Sequence, residues 1–305
     1  MNIASIDVGT NTILLLVANI NTFDGKIKPL QNVYRMPRIG RGLVPGGPIS
    51  GDRIDDMLEV MDEYASIIKS HNCSHVIANA TSAMRLASNS SEIISIVKEK
   101  FGIEISVISG QEEARLSYLG AVSGVSAEKY VVIDIGGGST EIIYGDRENI
   151  SFSKSFQAGV VSLTENYTKN DPPTQAEIET LNKTIEEKFS EIKGKFPPGF
   201  SAVAVAGTPT SLSCVRQGLQ TYDDDKVENS VLTLEDIKEI SERFSKLTSQ
   251  EILRLYPEIM KGREDIIFTG TLILLNLMKL LQTGNLIVSG RGIRYGAVLD
   301  FLMKS

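Results

Sequence analysis

A short glycine-containing turn between two apolar segments occurs twice in this chain of 305 residues. The first turn lies in SIDVGTNTILLL and the second in VIDIGGGSTEII, and they open with Asp7 and Asp134, which are 127 positions apart. A second pair, Thr81 and Thr208, keeps the same interval, and each of these threonines follows an apolar segment. Because two unrelated pairs share one offset, the sequence predicts a chain built from two similar halves.

The segments on both sides of each turn have the composition of β strands. Residues 2–7 and 13–20 flank the first turn, and residues 130–135 and 141–144 flank the second. β-Branched and aliphatic side chains dominate all four segments. A P-loop or a dinucleotide-binding fingerprint places its glycines before a helix. Since a strand follows here, the sequence predicts two β-hairpins instead.

Turns of this kind can expose successive backbone N–H groups that together bind an anion. We therefore expect both turns to bind phosphate oxygens, with nearby hydroxyl and amide side chains as additional donors. The candidates are Gly9, Thr10 and Asn11 in the first turn and Gly136, Gly137, Gly138, Ser139 and Thr140 in the second. A carboxylate beside bound phosphates, such as Asp7 or Asp134, would hold Mg²⁺ directly or through water. An aspartate at this place can also stabilise its own turn.

Composition limits the classes of partner. The formal charge of -7 and the pI near 5.1 argue against nucleic acid and acidic membranes as partners. Only Cys73 and Cys214 are present, with no metal-binding or redox spacing, which is typical of a reducing compartment. The N-terminus has no leader-like pattern, and the most apolar stretch, residues 270–281, suits a buried helix. We expect a cytoplasmic protein that does not enter a membrane.

The length of the chain predicts about two domains. We place the boundary in AVSGVSAEKY, which gives a first domain of residues 1–124 and a second of residues 125–305, with the last helix able to pack back on the first. A third repeated pattern, strand, Ser-Gly, helix, occurs at residues 109–110 and 289–290. Its longer offset of 180 positions predicts a helical insertion in the second half.

Charged side chains near strand ends are the remaining candidates for the site. Glu112 and Glu113 begin a helix just after a strand, and adjacent helical residues point about 100° apart, so at most one should face a site squarely. Glutamates also favour helix N-termini for electrostatic reasons alone. Arg85 follows the first small-residue segment, where Thr81 or Ser82 is placed to cap a helix.

Two further segments complete the set of candidates. The loop YRMPRIGRGL carries Arg38 and Arg41 among proline and glycine, where they can contact phosphate or simply face solvent. In the second half, AGTPTSL carries Gly207 and Thr208, and we predict Thr208 as the helix cap with Pro209 in the first helical position.

The order of these motifs resembles a known family. SIDVGTNTILLLVA, ATSAMRLA, SGQEEARLSYLGA, VVIDIGGGSTEI, AGTPTSL and IVSGRGIRYGAVL are similar to segments of the exopolyphosphatase and guanosine pentaphosphate phosphohydrolase family. That family lies within the acetate kinase, sugar kinase, heat-shock chaperone and actin superfamily. The resemblance implies an α/β fold of two ribonuclease-H-like, actin-like domains, with mixed sheets flanked by helices and the active site in the interdomain cleft.

The resemblance also implies roles for individual residues. By similarity, Glu113 activates the attacking water, with Glu112 as the second candidate, and Asp134 and Glu141 associate with Mg²⁺. Asp7 is a Mg²⁺ candidate from its place at the first turn, and Glu141, as a strand residue, can also simply face solvent. The implied substrates are inorganic polyphosphate and guanosine pentaphosphate, and a homodimer is implied as well. The chain departs from the family pattern Ser-Asp-x-Gly-Leu-Arg-Glu-Gly at residues 289–296, where it reads SGRGIRYG and lacks two acidic residues.

Two other functions stay open from the residues alone. A phosphotransferase of the acetate or sugar kinase type would need an adenosine site, for which AVAGTPTSL is the only indication. A regulator that binds nucleotide without turnover would need no water-activating group. The joint presence of Glu113, Asp134 and Glu141 favours the hydrolase.

Overall fold

Each of the two repeated turns joins two strands of a separate mixed sheet in the computed structural model of the chain, which describes residues 1–21 and 27–304. The chain divides into a first unit, Met1–Gly120 with Ile293–Ser305, and a second unit, Ala121–Gly292. Both units combine a sheet with helices, so the predicted α/β class with two mixed sheets flanked by helices is confirmed.

The first unit begins with three antiparallel strands and continues with alternating helices and strands. Its elements are β1 (Asn2–Val8), β2 (Ile13–Ile20), β3 (Ile27–Arg35), α1 (Gly51–Ser70), β4 (His75–Ala80), α2 (Ser82–Leu86), α3 (Ser90–Phe101), β5 (Ile105–Val107) and α4 (Gly110–Val122). The strand order is β3-β2-β1-β4-β5, with β1, β4 and β5 parallel. The first predicted hairpin is therefore confirmed.

The second unit repeats this plan and adds helices. Its elements are β6 (Tyr130–Ile135), β7 (Thr140–Gly145), β8 (Ile150–Phe156), α5 (Val160–Tyr167), α6 (Gln175–Phe189), β9 (Ser201–Val205), α7 (Gly207–Gln217), α8 (Asp224–Val227), β10 (Val231–Thr233), α9 (Leu234–Phe244), α10 (Ser249–Leu255), α11 (Pro257–Met260), α12 (Ile267–Leu280) and β11 (Asn285–Val288). The last helix of the chain, α13, spans Ile293–Lys304. The strand order β10-β11-β9-β6-β7-β8 contains the order of the first sheet, with β10 added at one edge.

Alternation along the central strands decides which side chains are available for a site. In β1, Ala4, Ile6 and Val8 belong to the hydrophobic core that includes side chains of α1 and α3. Because successive strand residues point to opposite faces, Asp7 lies on the other face of the sheet. The same alternation in β6 buries Ile133 and Ile135 in the core of the second unit and places Asp134 on the opposite face.

The helix predicted from the most apolar stretch is α12, and every residue from Ile267 to Met278 is buried. It packs against helices α5, α6, α7 and α9 of its own unit. Among residues 1–21 and 27–304, no helix is both long enough and apolar enough to span a bilayer.

The division of the chain differs from the predicted boundary at 124/125. The first unit ends at Gly120, inside α4, and it also includes the C-terminal helix α13. Tyr295 and Val298 of α13 pack with Ile3 and Leu16 of the first sheet. The small-residue composition therefore placed the boundary four residues after the end of the first unit. The last helix packs on the first sheet, as the sequence analysis allowed, because its apolar face is buried there.

Candidate functional site

Three segments of the first unit follow parallel strands and therefore lie at one edge of the sheet. The first turn follows β1, α2 follows β4, and α4 follows β5 after a short connection. The carboxyl ends of parallel strands meet at the same edge, which is the usual place for a ligand in such sheets. This edge brings together Asp7, Arg85 and Glu113.

The first turn is closed by hydrogen bonds to its own backbone and to the loop that follows β3. Gly9 N donates to Thr12 O at 3.0 Å, and Gly40 N donates to Thr10 O at 2.9 Å. A Cβ atom at Gly40 would lie 2.2 Å from Thr10 Cγ2, so the loop approaches the turn this closely because residue 40 is glycine. Among the described residues, the N–H groups of Thr10 and Asn11 have no hydrogen-bond acceptor. These two groups are the donors that an anion would need.

The arginine-bearing loop is held against this turn. Arg38 N donates to Asn11 O at 3.1 Å, and Arg38 itself has a positive φ of 54°. A non-glycine residue in that region is uncommon and often marks a functional segment. Arg41 is exposed, and its N–H donates to Arg38 O at 2.9 Å. Of the two predicted arginines, Arg38 is the one whose backbone contacts the turn.

Glu113 and Arg85 form a largely buried ion pair. Arg85 Nη1 donates to Glu113 Oε2 at 2.6 Å and to Ile108 O at 3.0 Å. The Glu113 side chain is only 9% exposed and that of Arg85 is 22% exposed, so water screens the pair weakly. Breaking such a pair from one side typically costs about 3–5 kcal/mol. The sequence suggested both residues separately, and the fold pairs them.

Glu112 points elsewhere and joins a different network. Arg115 donates from Nε and Nη2 to the two carboxylate oxygens of Glu112, at 2.8 and 2.7 Å. These hydrogen bonds hold the pKa of the Glu112 carboxyl below its ordinary value. Arg115 Nη2 also contacts Asp300 of α13 at 2.8 Å. Of the two adjacent glutamates, only Glu113 lies beside Arg85.

Backbone N–H groups at the N-terminus of α5 donate hydrogen bonds to the carbonyl oxygens of the second turn. Val160 N donates to Gly136 O at 3.0 Å, and Val161 N donates to Gly137 O at 2.8 Å. Gly136 N donates to Ser139 O at 2.9 Å. In the part of the chain that the structure describes, the N–H groups of Gly137, Gly138 and Ser139 have no acceptor. The turn therefore has its carbonyl oxygens satisfied and three successive donors available.

Close packing makes this arrangement dependent on one further glycine. A Cβ atom at Gly159 would lie 2.3 Å from Gly137 O and 2.5 Å from the Gly138 carbonyl carbon. Thr140 is fully buried, and its Oγ1 donates to Ala158 O at 2.7 Å. Thr140 thus fixes the segment before α5 rather than offering a donor to a ligand, which corrects the prediction for its side chain.

Two carboxylates stand side by side next to the second turn. Asp134 of β6 is directly opposite Glu141 of β7 in the antiparallel register, and both are buried. Side chains of directly opposed residues share one face, with Cβ atoms about 4.5–5.5 Å apart. Glu141 Oε1 also accepts a hydrogen bond from Ser155 Oγ at 2.6 Å. In the first turn the residue opposite Asp7 is Leu14, so only the second turn carries the pair.

The helix after β9 begins earlier than the sequence predicted. The residue before the first turn of α7 is Ala206, with a φ of 77°, and the helix starts at Gly207. The prediction of Thr208 as the cap and Pro209 as the first helical residue was wrong. Thr208 is 6% exposed and packs against Gly270 of α12, where an added Cβ would lie 2.5 Å from Thr208 Oγ1. Its side chain therefore serves helix packing.

Sequence reasoning missed Arg263, which lies beside the start of α7. Arg263 Nη1 donates to Gly207 O at 2.9 Å and to Ser211 Oγ at 2.7 Å. Since β6 and β9 are parallel neighbours, this guanidinium lies at the strand edge that carries the second turn. A single arginine between a glycine and two acidic residues gives no recognisable signal in the sequence.

The segment that departs from the family pattern is stabilised by a carboxylate from elsewhere in the second unit. Glu228 accepts a hydrogen bond from Gly290 N at 2.7 Å, and Arg291 Nε lies 3.4 Å from the same side chain. Burial raises the pKa of Glu228 above its ordinary value. Glu228 therefore supplies an acidic group beside the position where this chain has glycine instead of aspartate.

A sequence profile of the Ppx/GppA phosphatase family matches residues 17–305 of the chain. The chain belongs to the Ppx/GppA phosphatase family. A relative named exopolyphosphatase 2, from Mycobacterium tuberculosis, is 31% identical over 92% of this chain and 91% of its own length. The crystal structure of the Aquifex aeolicus Ppx/GppA family member is 31% identical, with a TM-score of 0.84 over 100% of this chain and 98% of the other.

A second solved structure supports the fold of this Ppx/GppA family member. An exopolyphosphatase from Cytophaga hutchinsonii has a TM-score of 0.91 over 100% of this chain and 98% of that chain. Its sequence identity of 24% is low, so the likeness concerns the fold alone. The family that the motifs resemble is thus confirmed by the profile and by the sequence relatives.

Proposed function

We propose that the protein is an exopolyphosphatase, which releases the terminal orthophosphate of inorganic polyphosphate and removes the 5′-terminal phosphate of guanosine pentaphosphate at the same site. The observation that carries the proposal is the buried Glu113–Arg85 pair in the first unit of a Ppx/GppA family member. A relative of similar length is named exopolyphosphatase, which supports polyphosphate as the substrate.

In this proposal Glu113 is the general base. A carboxylate can accept a proton from water as the water attacks a terminal phosphorus in line. Arg85 holds one oxygen of Glu113 and fixes the direction of the carboxylate. The guanidinium has five N–H donors. Both hydrogen bonds of Arg85 to described residues come from Nη1, which leaves Nη2 and Nε for a ligand. These groups can bind oxygens of the phosphate that is transferred.

The two turns bind the phosphate oxygens. The first turn offers the N–H groups of Thr10 and Asn11, and the second turn offers those of Gly137, Gly138 and Ser139. Backbone donors of this kind are fixed before the substrate arrives, so they stabilise developing negative charge without reorganising. Arg263 adds a positive charge in the second unit beside the start of α7.

Asp134 and Glu141 fit a Mg²⁺ ion that is bound partly by the substrate. Two like charges directly opposite one another are unfavourable unless a cation or a proton compensates them. Mg²⁺ is usually held by one or two carboxylates together with waters and substrate phosphates. Within residues 1–21 and 27–304 no group of three or more His, Cys, Asp or Glu side chains could hold a metal ion, which agrees with phosphate oxygens completing the shell. When bound, the ion would neutralise charge on the phosphates.

The test measures free phosphate released from polyphosphate, guanosine pentaphosphate and ATP, with and without Mg²⁺. We expect Glu113→Gln to reduce kcat by about 10²–10⁴-fold, the range for a general base. Glu141→Gln should raise the Mg²⁺ concentration needed for half-maximal activity. The control is Glu104→Gln, an exposed glutamate of the first unit that pairs with the exposed Lys98 at 2.9 Å.

Three outcomes contradict the proposal. Wild-type activity in the Glu113→Gln variant would show that Glu113 is not the general base. Transfer of phosphate from ATP to an added acceptor such as acetate or a sugar, without hydrolysis of polyphosphate, would assign the protein to the phosphotransferases. Tight binding of guanosine pentaphosphate without release of phosphate would indicate a regulator.

A further inference from the structure

Helices α4 and α13 of the first unit touch through their backbones. A Cβ atom at Gly296 of α13 would lie 1.7 Å from Leu116 O of α4 and 2.6 Å from the Leu116 carbonyl carbon. Both atoms belong to the main chain, so no side-chain rotation could make room. Even a methyl group at this position would force the two helices apart by about 1.6 Å, taking an ordinary C···O separation of about 3.3 Å.

A partly exposed ion network joins the same two helices one residue earlier along α4. Arg115 contacts Glu112 on its own helix and Asp300 on α13, with all three distances between 2.7 and 2.8 Å. The Asp300 side chain is only 16% exposed, and it also accepts from Lys304 Nζ at 2.7 Å. Arg115 and Glu113 are two residues apart, so they point about 200° apart around α4. One faces α13 and the other faces Arg85.

Helix α13 is itself fixed to the sheet. Arg294 Nη1 donates to Leu15 O at 3.3 Å and to Asn32 Oδ1 at 3.1 Å. Tyr295 and Val298 pack in the apolar cluster of β1 and β2. The helix therefore provides α4 with a support that cannot shift without disturbing the first sheet.

We propose that α13 positions the Glu113 carboxylate, with Gly296 setting the distance between the helices and Asp300, through Arg115, setting the rotation of α4. The inference rests on the proposed role of Glu113 as the base. A catalytic group must be held within about 0.5 Å and 10–20° of its productive geometry. The carboxylate lies about 5–6 Å from the helix axis, so a rotation of about 15° moves it by about 1.5 Å. Asp300 and Gly296 are thus positioning residues.

The experiment compares Asp300→Asn, Asp300→Glu and Gly296→Ala for polyphosphate hydrolysis. Asp300→Asn should lower kcat about tenfold and leave KM within about twofold, because binding groups stay in place while the base is misdirected. Asp300→Glu should recover most of this loss, since the charge returns. Gly296→Ala should lower kcat about 100-fold, the effect of a displacement on the order of 1 Å.

Matched controls separate positioning from folding. Lys304→Gln removes the hydrogen bond from Lys304 to Asp300 and should leave kcat within about twofold of wild type. Urea unfolding of each variant reports its stability. If Gly296→Ala does not fold, the comparison of Asp300→Asn with Asp300→Glu tests the inference without it. A kcat of Asp300→Asn within twofold of wild type, with Glu113→Gln inactive, overturns this inference alone. An equal loss in the Asp300→Asn and Asp300→Glu variants also overturns it. Full activity of Glu113→Gln would instead overturn the proposed function.

Discussion

Replacing Gly159 by alanine tests whether the second turn depends on its support from α5. The backbone of Gly159 has a φ of -100° and a ψ of 169°, which any residue can adopt, so the effect is purely steric. The new Cβ would lie 2.3 Å from Gly137 O, and an ordinary separation of about 3.3 Å requires a shift of about 1 Å between two main-chain segments.

The cost of this shift follows from the contacts it disturbs. Overpacking of this kind costs about 1–3 kcal/mol. The hydrogen bonds from Val160 N and Val161 N to the turn would lengthen, and each contributes about 0.5–1.5 kcal/mol. We therefore expect the free energy of unfolding to fall by about 2–6 kcal/mol. The activity should fall about 100-fold, because the phosphate donors would be displaced by about 1 Å.

Urea unfolding and the phosphate-release assay measure the two effects. The control is Gly284→Ala, in the same unit, because an added Cβ there meets no atom within 4 Å. We expect this control to resemble wild type in both assays. If the Gly159 and Gly284 variants behaved alike, the idea that α5 holds the turn by close packing would be refuted.

Three further predictions follow from other contacts. Gly40→Ala should lower activity about tenfold, because the new Cβ would overlap the Thr10 methyl group at 2.2 Å. Adding Thr10→Ser removes that methyl group and should restore part of the activity; a double variant no more active than Gly40→Ala would contradict this. Hydrogen bonds from the N–H groups of Thr174 and then Lys169 lower the pKa of Glu177 to about 2. Its stabilisation is therefore present above the unfolded pKa of about 4.3 and is lost as the pH falls through about 2. In urea unfolding, Glu177→Gln should be less stable than wild type near neutral pH, and the difference should shrink steadily as the pH falls from about 4 towards 2; a difference that does not change with pH would contradict this. Burial raises the pKa of Cys214 to about 11, so iodoacetamide at about pH 8 should leave Cys214 unmodified in the folded protein and should modify it in denaturant.

The local pattern was sufficient for the elements nearest the turns. β-Branched and aliphatic residues on both sides of each turn predicted both hairpins, and the 127-residue interval predicted two similar halves, which agrees with the matching strand orders of the two sheets. The most apolar stretch predicted α12. These features depend on interactions between residues that are close in sequence, or on a repeat that a linear string displays directly.

Other features could not be obtained in this way. The start of α7 at Gly207 rather than after Thr208 depends on Ala206 adopting a positive φ, and Thr208 packs against Gly270. The end of the first unit at Gly120, inside α4 and before the small-residue linker, depends on contacts that the composition of the linker does not report. Propensity and capping patterns are weak where such tertiary contacts compete with them.

The sequence by itself determined the duplicated plan, the two phosphate-type turns, the pair of adjacent glutamates and the family to which they point. Only the tertiary structure decided that Glu113 pairs with Arg85 while Glu112 is bound to Arg115, and that Asp134 is opposite Glu141. The physical reason is that Glu113 and Arg85 are 28 positions apart and that Asp134 and Glu141 lie on two paired strands, so helix rotation and strand register select these partners.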